Sequence, residues 1–338
     1  MIQSRTRALR RKQADIMSQH LLTRRQFTAR CAALGLAVPA LSVMPAEQAR
    51  AQAPGSGAPS RPSARTVKLP DGTPVTTLGQ GCWHLGQGRH PVAVEEEALR
   101  AGISLGMTLL DTSGNYGRGR SEEFLSHVLA GQRDRIFLVS KVEGDEVSGD
   151  GIARACAASL ARLGTSYLDL YLLHWPPPSA QFPAVVAGFE QLRAAGKIRA
   201  WGVSNFDVAQ MEDLFRVPNG DRCATNQVPY SLNNRHIEAD VLPWCGQHNM
   251  PVMAYSPLGG DRHLVVGDGV LAQIGAAHGC AAAAVALAWV IRGGNVIAIP
   301  ESGSLEHVRE NAAALSTALT PQDLKTLNAA YPGPPGAS

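Results

Sequence analysis

The chain has 338 residues, 45% of them hydrophobic and 17% charged, enough for one large core or two smaller ones. The net charge of +3 is unevenly spread. Residues 1–53 hold nine Lys/Arg against Asp15 and Glu47, whereas residues 54–338 hold 22 against 26 acidic residues. A nucleic-acid binder keeps its basic surplus on the folded body, so the balance argues against that class.

The first 53 residues read as an export signal. "TRRQF", residues 23–27, is a twin-arginine pair, and the apolar run "CAALGLAVPALSVM" follows at 31–44. "ARA" and "AQA", at 49–51 and 51–53, are small-x-small cleavage patterns. The 14-residue apolar run is shorter than the ~20 residues a membrane span needs. The competing reading is an amphipathic surface helix bearing two arginines. Met17 lies just upstream and is an alternative start. The expectation is a periplasmic protein carried folded by the twin-arginine translocase, with no stable membrane association, monomeric after export. Residues 54–65, "PGSGAPSRPSAR", form a flexible leader with no core-forming pattern.

Apart from Cys31, the cysteines are Cys82, Cys156, Cys223, Cys245 and Cys280. An odd, scattered set without C-x-x-C points away from a disulfide framework and from a zinc site. They read as small core residues.

Residues 66–81 predict a short hairpin turning at Asp71–Gly72, then a strand. Strand-length apolar runs recur after it: "MTLLDT", "IFLVSKV", "YLDLYLLHW", "AWGVSNF", "TNQVPY", "VMAYSP" and "VIAIP". With the run at 78–81 that makes eight. Helical patterns lie between them at 93–105, 152–163, 184–195, 208–215, 237–247, 281–292 and 304–314. A last helix starts at Thr320, with Pro321 in its first turn. Eight β–α repeats over residues 66–331 predict a (β/α)8 TIM barrel with an N-terminal hairpin and a short tail at 332–338. An open doubly wound sheet would carry G-x-G-x-x-G after its first strand, and "GQGCWHLG" does not supply it.

Strand C-termini of a parallel barrel converge on one mouth. Asp111 ends the second strand, Tyr116 lies in the loop after it, Lys141 ends the third and His174 the fourth. Taken singly, Asp111 reads as an Asx-turn, Tyr116 as a loop anchor, Lys141 as a solvated lysine and His174 as a core histidine. Together they place an acid, a phenol, an ammonium and an imidazole at one spot. A phenol of ordinary pKa ~10 is a weak proton donor at neutral pH. Lys141 is expected to lower that value by about two to three units, with Asp111 holding the ammonium in place. His174 would hydrogen-bond a carbonyl oxygen as it gains charge. The set holds a proton donor and an oxyanion partner but neither a nucleophile nor metal ligands. That suits reduction of a carbonyl by hydride from a borrowed carrier.

With these motifs in order, residues 66–330 resemble the aldo-keto reductase family. "DTSGNYGRGRSEE" resembles its Asp-x4-Tyr segment, "LVSKV" its lysine strand and "YLLHWP" its histidine strand. "GKIRAWGVSNF", "NQVPYSLNN", "AYSPLG" and "IAIPESGSLEHVREN" follow in family order. The resemblance implies Tyr116 as general acid, completed by Asp111, Lys141 and His174, and NADP(H) as cofactor. It implies that Ser204, Asn205 and Gln227 bind the nicotinamide carboxamide and that Tyr255 stacks on the ring. Ser256 and Leu258 would line the pyrophosphate, and Gly81 and Trp83 the cofactor wall. Pro300, Glu301, Ser302, Ser304, Arg309, Glu310 and Asn311 would hold the adenosine end. Considered alone, Ser204 and Asn205 could instead cap the helix at 208, and Tyr255 could be an aromatic of a barrel layer.

Three positions depart from the family pattern. Glu301 and His307 stand where relatives often carry cations facing a 2′-phosphate, so NAD(H) use is expected as well. Ser302, Ser304 and Arg309 could still hold a phosphate. Cys82 replaces a common Thr. Two other functions compete: a Schiff-base enzyme using Lys141, disfavoured by its pairing with Asp111, and a cofactor-binding sensor or auxiliary protein with little turnover. The short segments after His174 and after Ala330 leave little chain for specificity loops, so the expected substrate is a small aldehyde or ketone.

Overall fold

Gly72, at φ +88°, lets the chain reverse between β1 (Thr66–Lys68) and β2 (Pro74–Thr76), and the Asp71 carboxylate accepts from Thr73 N–H. The pair is antiparallel, with Val67 opposite Val75. A computed structural model describes residues 65–147, 150–260 and 263–335, all within the unit Ser60–Ser338. The export-signal reading, the leader up to residue 64 and the last three residues of the tail lie outside the described residues.

Eight parallel strands follow: β3 (Gln80–Gly81), β4 (Leu109–Asp111), β5 (Phe137–Val142), β6 (Leu168–Leu173), β7 (Ile198–Ser204), β8 (Asn226–Pro229), β9 (Val252–Tyr255) and β10 (Val296–Ala298). Each pairs with its neighbour in chain order. The ring closes where Leu78 bridges Ala298 and Gly81 bridges Glu301, supported by Gly79 N–H to Ala298 O and Gly81 N–H to Pro300 O. The expected (β/α)8 barrel with its hairpin is therefore the observed architecture.

Alternation along the strands builds two cores. Leu109, Val139, Leu170, Leu172, Ala200, Met253 and Ile297 fill the barrel, and Val67, Leu69 and Val75 of the hairpin join that cluster. The intervening positions, among them Leu138, Val142, Tyr171, Leu173, Trp201 and Val203, pack outward against the helices. Gly202 sits opposite Leu172. A Cβ there would lie 2.7 Å from Thr225 O, so only glycine lets β7 and β8 approach.

The helices are α1 (Val92–Ser104), α2 (Arg120–Leu129), α3 (Gly151–Leu163), α4 (Phe182–Ala194) and α5 (Val208–Phe215), then α6 (Val241–Gln247), α7 (Gly269–His278), α8 (Ala282–Val290), α9 (Leu305–Ala312) and α10 (Pro321–Ala330). Two of these, α2 and α7, go beyond the sequence reading. The segment expected to be helical from 237 begins as a 3-10 turn, His236–Glu238, and becomes α-helical only at Val241, where the Asp240 carboxylate caps it. Among the described residues no single helix is long and apolar enough to cross a membrane. Their five cysteines are free thiols, four of them buried.

Candidate active site

In β5 the inward positions are Val139 and then Lys141, so strand periodicity places the ammonium at the top of the barrel core. Lys141 is fully buried and uses all three of its donors. They reach Asp111 Oδ1 at 2.6 Å, Thr112 O at 2.9 Å and the Tyr116 hydroxyl at 3.1 Å. The other Asp111 oxygen accepts from Gln227 Nε2 at 2.8 Å. With each polar atom of the ion pair satisfied, the geometry of the buried charges is tightly specified.

Burial opposes the charge on Lys141, but Asp111 and Tyr116 outweigh it and raise its pKa. The group is an ammonium at neutral pH and has no lone pair for Schiff-base attack. Tyr116 differs from expectation: its pKa is raised, not lowered. Removal of the phenol from water disfavours the phenolate more than the Lys141 charge favours it, and Asp111 adds to the upward push. The phenol is thus held protonated, which is the form a proton donor needs.

Tyr116 reaches this position through a tight turn. Gly117 and Arg118 both adopt positive φ, at 58° and 60°, and α2 begins two residues after Arg118. His174, the inward residue following β6, approaches edge-on, its ring centroid 5.8 Å from that of Tyr116. Its Nδ1 lies 2.5 Å from Glu143 Oε1 and 3.5 Å from Ser113 Oγ. Glu143 is absent from the sequence-derived site. Strand period two from Lys141 would have placed it on the same face.

Next to the tetrad, Ser204 Oγ donates to Gln227 O, and Asn205 Nδ2 donates to His174 O and to Ser204 Oγ. The Tyr255 hydroxyl donates to Asn205 Oδ1 at 3.0 Å. Ser204 and Asn205 do not cap the following helix; Asp207 does, in a capping box with Gln210. Asn205 and Ser256 hold left-handed backbones, at φ 64° and 48°. Such conformations concentrate at binding sites.

A cavity of about 610 Å³ opens over this arrangement. Asp111, Tyr116 and His174 line it; Lys141 lies buried beneath. Of the residues expected to bind cofactor, Gly81, Trp83, Ser204, Asn205, Gln227, Tyr255, Ser256, Leu258, Pro300 and Glu301 line the same space. Ser302, Ser304, Arg309, Glu310 and Asn311 lie outside it, on the approach to α9 and within that helix. Arg309 is exposed and Asn311 buried. Ser302 and Ser304 serve local turns: Ser302 Oγ accepts from Ser304 N–H, and Ser304 Oγ caps α9.

The donor set fits a nicotinamide end. Two amides and a hydroxyl stand on one wall beside the half-buried ring of Tyr255, and the tetrad faces them. Glu301, which also lines the cavity, does not project freely. Its carboxylate accepts from His84 N–H at 3.0 Å and pairs with His84 Nδ1 at 2.9 Å. His84, a second residue missing from the sequence reading, stacks on Trp83 with centroids 4.2 Å apart.

Residues 77–263 and 266–332 match the model of the aldo/keto reductase family. The chain is 48% identical over 265 residues to the methylglyoxal reductase YeaE of Escherichia coli, covering 78% of this chain and 93% of that protein. An aldo/keto reductase from Klebsiella pneumoniae, solved with NADP and acetate, superimposes with a TM-score of 0.77 at 43% identity. It covers 81% of this chain and 98% of its own. A Klebsiella pneumoniae aldo-keto reductase structure with NADPH agrees equally well, with the same score, identity and coverage. The chain belongs to the aldo/keto reductase family and is an NAD(P)H-dependent oxidoreductase.

Proposed function

We propose that the chain reduces small aldehydes and ketones, methylglyoxal among them, with Tyr116 as the proton donor. The observation that carries this reading is the Tyr116 hydroxyl, which lines the cavity while hydrogen-bonded to an ammonium locked by Asp111. A reduced nicotinamide, when bound, supplies hydride to the carbonyl carbon. As the carbonyl oxygen gains charge, the Tyr116 O–H passes it a proton, and Lys141 stabilises the phenolate left behind. His174 orients that same oxygen by hydrogen bonding. Ser204, Asn205 and Gln227 hold a carboxamide, and Tyr255 offers its ring as a stacking surface.

NADP(H) is the proposed cofactor, since both Klebsiella pneumoniae relatives were solved with it. Glu301, tied to His84, offers a carboxylate rather than a cation to the cavity, and this favours acceptance of NAD(H) too. Methylglyoxal-dependent oxidation of NADPH and NADH by parent and Tyr116→Phe chains tests both points. The expected parent oxidises both cofactors, and Tyr116→Phe loses about 10²–10⁴-fold in kcat. An undiminished Tyr116→Phe rate would overturn the role of the phenol; cofactor binding without turnover in the parent would favour the sensor. Parent turnover with NADPH alone would overturn the NAD(H) reading.

Periplasmic export by the twin-arginine route is likewise proposed, resting on "TRRQF" and the cleavage patterns after it. The mass of the chain recovered from periplasm should correspond to a start at Pro54 or within a few residues of it. Full-length chain confined to the cytoplasm would refute export.

A further inference from the structure

The shortest polar contact made by a member of the tetrad joins Glu143 to His174, and the ring's donor and acceptor chemistry follows from it. A carboxylate only accepts, so Nδ1 must carry the hydrogen in that 2.5 Å contact. In a neutral ring Nε2 would then be bare. A carbonyl oxygen is also an acceptor, and two acceptors cannot bond. Protonating Glu143 instead and letting it donate to Nδ1 leaves the hydrogen on Nε2, which comes to the same total. Either way, donation from Nε2 requires two protons shared by Glu143 and His174.

Resting on the reading of His174 as the carbonyl's hydrogen-bond donor, we infer that Glu143 is a positioning residue. It turns Nδ1–H of His174 onto its own carboxylate and leaves Nε2–H for the substrate oxygen, so the pair works with two protons bound. Nδ1 is taken by Glu143 and Ser113, and the ring lines the cavity. The main chain of His174 is fixed as well, its N–H donating to Val142 O and its carbonyl accepting from Asn205 Nδ2. The ring therefore has a set place and a set orientation. The other charged or titratable groups near it are Tyr116, from the turn after β4, and behind it Lys141 of β5, neutralised by Asp111 of β4. Trp175, stacked at 5.9 Å, carries no charge. Glu143 is thus the one unpaired-by-others carboxylate in contact with the ring among the described residues.

An imidazolium donates more strongly than a neutral ring, so the arrangement gives better stabilisation of the developing oxyanion. It also ties reduction to the second proton. Glu143 has no hydrogen bond to Tyr116, Lys141 or Asp111, so its effect should pass through His174 alone.

Nitrogen NMR of the full-length chain labelled with ¹⁵N-histidine tests this without any turnover. The His174 signals are identified by their loss in His174→Gln. In the parent, both ring nitrogens of His174 should carry protons at neutral pH. In Glu143→Gln and Glu143→Ala at the same pH, one of the two ring nitrogens should be bare. At that pH kcat should fall in both variants, while KM changes little. Identical ring-nitrogen signals in the parent and both variants would overturn the inference. The carbonyl-reductase reading is tested separately, because Tyr116→Phe reports on it whatever the His174 signals show.

Discussion

An ammonium has three donors, and Lys141 spends each on a different part of the site: the carboxylate of β4, a main-chain carbonyl and the phenol. Lys141→Met keeps roughly the length of the chain but leaves Asp111 buried and uncompensated. The expected cost is about 3–5 kcal/mol of stability. A larger fall in kcat than Tyr116→Phe produces would show that Lys141 acts on more than the phenol; denaturant titration and single-substrate kinetics measure the two. At this scale the sequence was most informative. Asp111, Tyr116, Lys141 and His174 are legible because a parallel barrel turns strand ends into a shared location. The direction of the Tyr116 shift was not legible, because it depends on how much water the surrounding walls exclude. Glu143 and His84 were passed over for another reason: each looks like an ordinary polar loop residue until its partner on a neighbouring segment is known.

The turn that carries Tyr116 is held from behind by α3. Arg162 Nε donates to Glu122 Oε2 at 2.7 Å, and the other Glu122 oxygen accepts from Ser140 Oγ of β5 at 2.6 Å. The Arg162 stem runs so close beneath the turn that a Cβ on Gly119 would lie 2.6 Å from its Cδ, and Gly119 has φ +89°. Gly119→Ala therefore combines a clash with a left-handed strain of about 1–3 kcal/mol. The expected outcome is a lower Tm and a kcat reduced about tenfold or more through displacement of Tyr116, with cofactor affinity, measured by fluorescence quenching, unchanged. Equal loss of cofactor affinity would mean the whole mouth had moved. The same polar wiring explains why α2 is hard to read from sequence. Ser121 and Glu122 occupy buried positions on its inward face, so polar residues interrupt the apolar period carried by Phe124, Leu125, Val128 and Leu129. In α7 the pattern is blurred by Gly and Ala, whose small side chains give little contrast between faces. Other ends are marked plainly by caps, as Thr320 and Asp323 mark α10 reciprocally.

Across the molecule, the end of the chain is tied to the barrel by a charged cluster. Arg235 pairs with Glu238 through both Nε and Nη2, at 3.0 and 2.8 Å, and reaches Asn328 of α10 at 2.9 Å. The second Glu238 oxygen accepts from the Tyr230 hydroxyl at 2.6 Å and contacts Arg292 at 3.2 Å. Both arginines lie over the ring of Trp289. Burial pushes the Glu238 pKa up, but the hydrogen bonds from Arg235 and Tyr230 and the two positive charges prevail and hold it below the usual carboxylate range. A carboxyl depressed on folding stabilises the fold above its unfolded pKa and loses that contribution as pH falls through the folded value. Glu238→Gln should therefore lower Tm most at neutral pH, and the gap to the parent should narrow below about pH 4.3, the ordinary glutamate pKa. Calorimetric Tm values of the two chains between neutral and acidic pH measure this. A gap that stays constant on acidification would assign the cluster's contribution to packing against Trp289 rather than to charge.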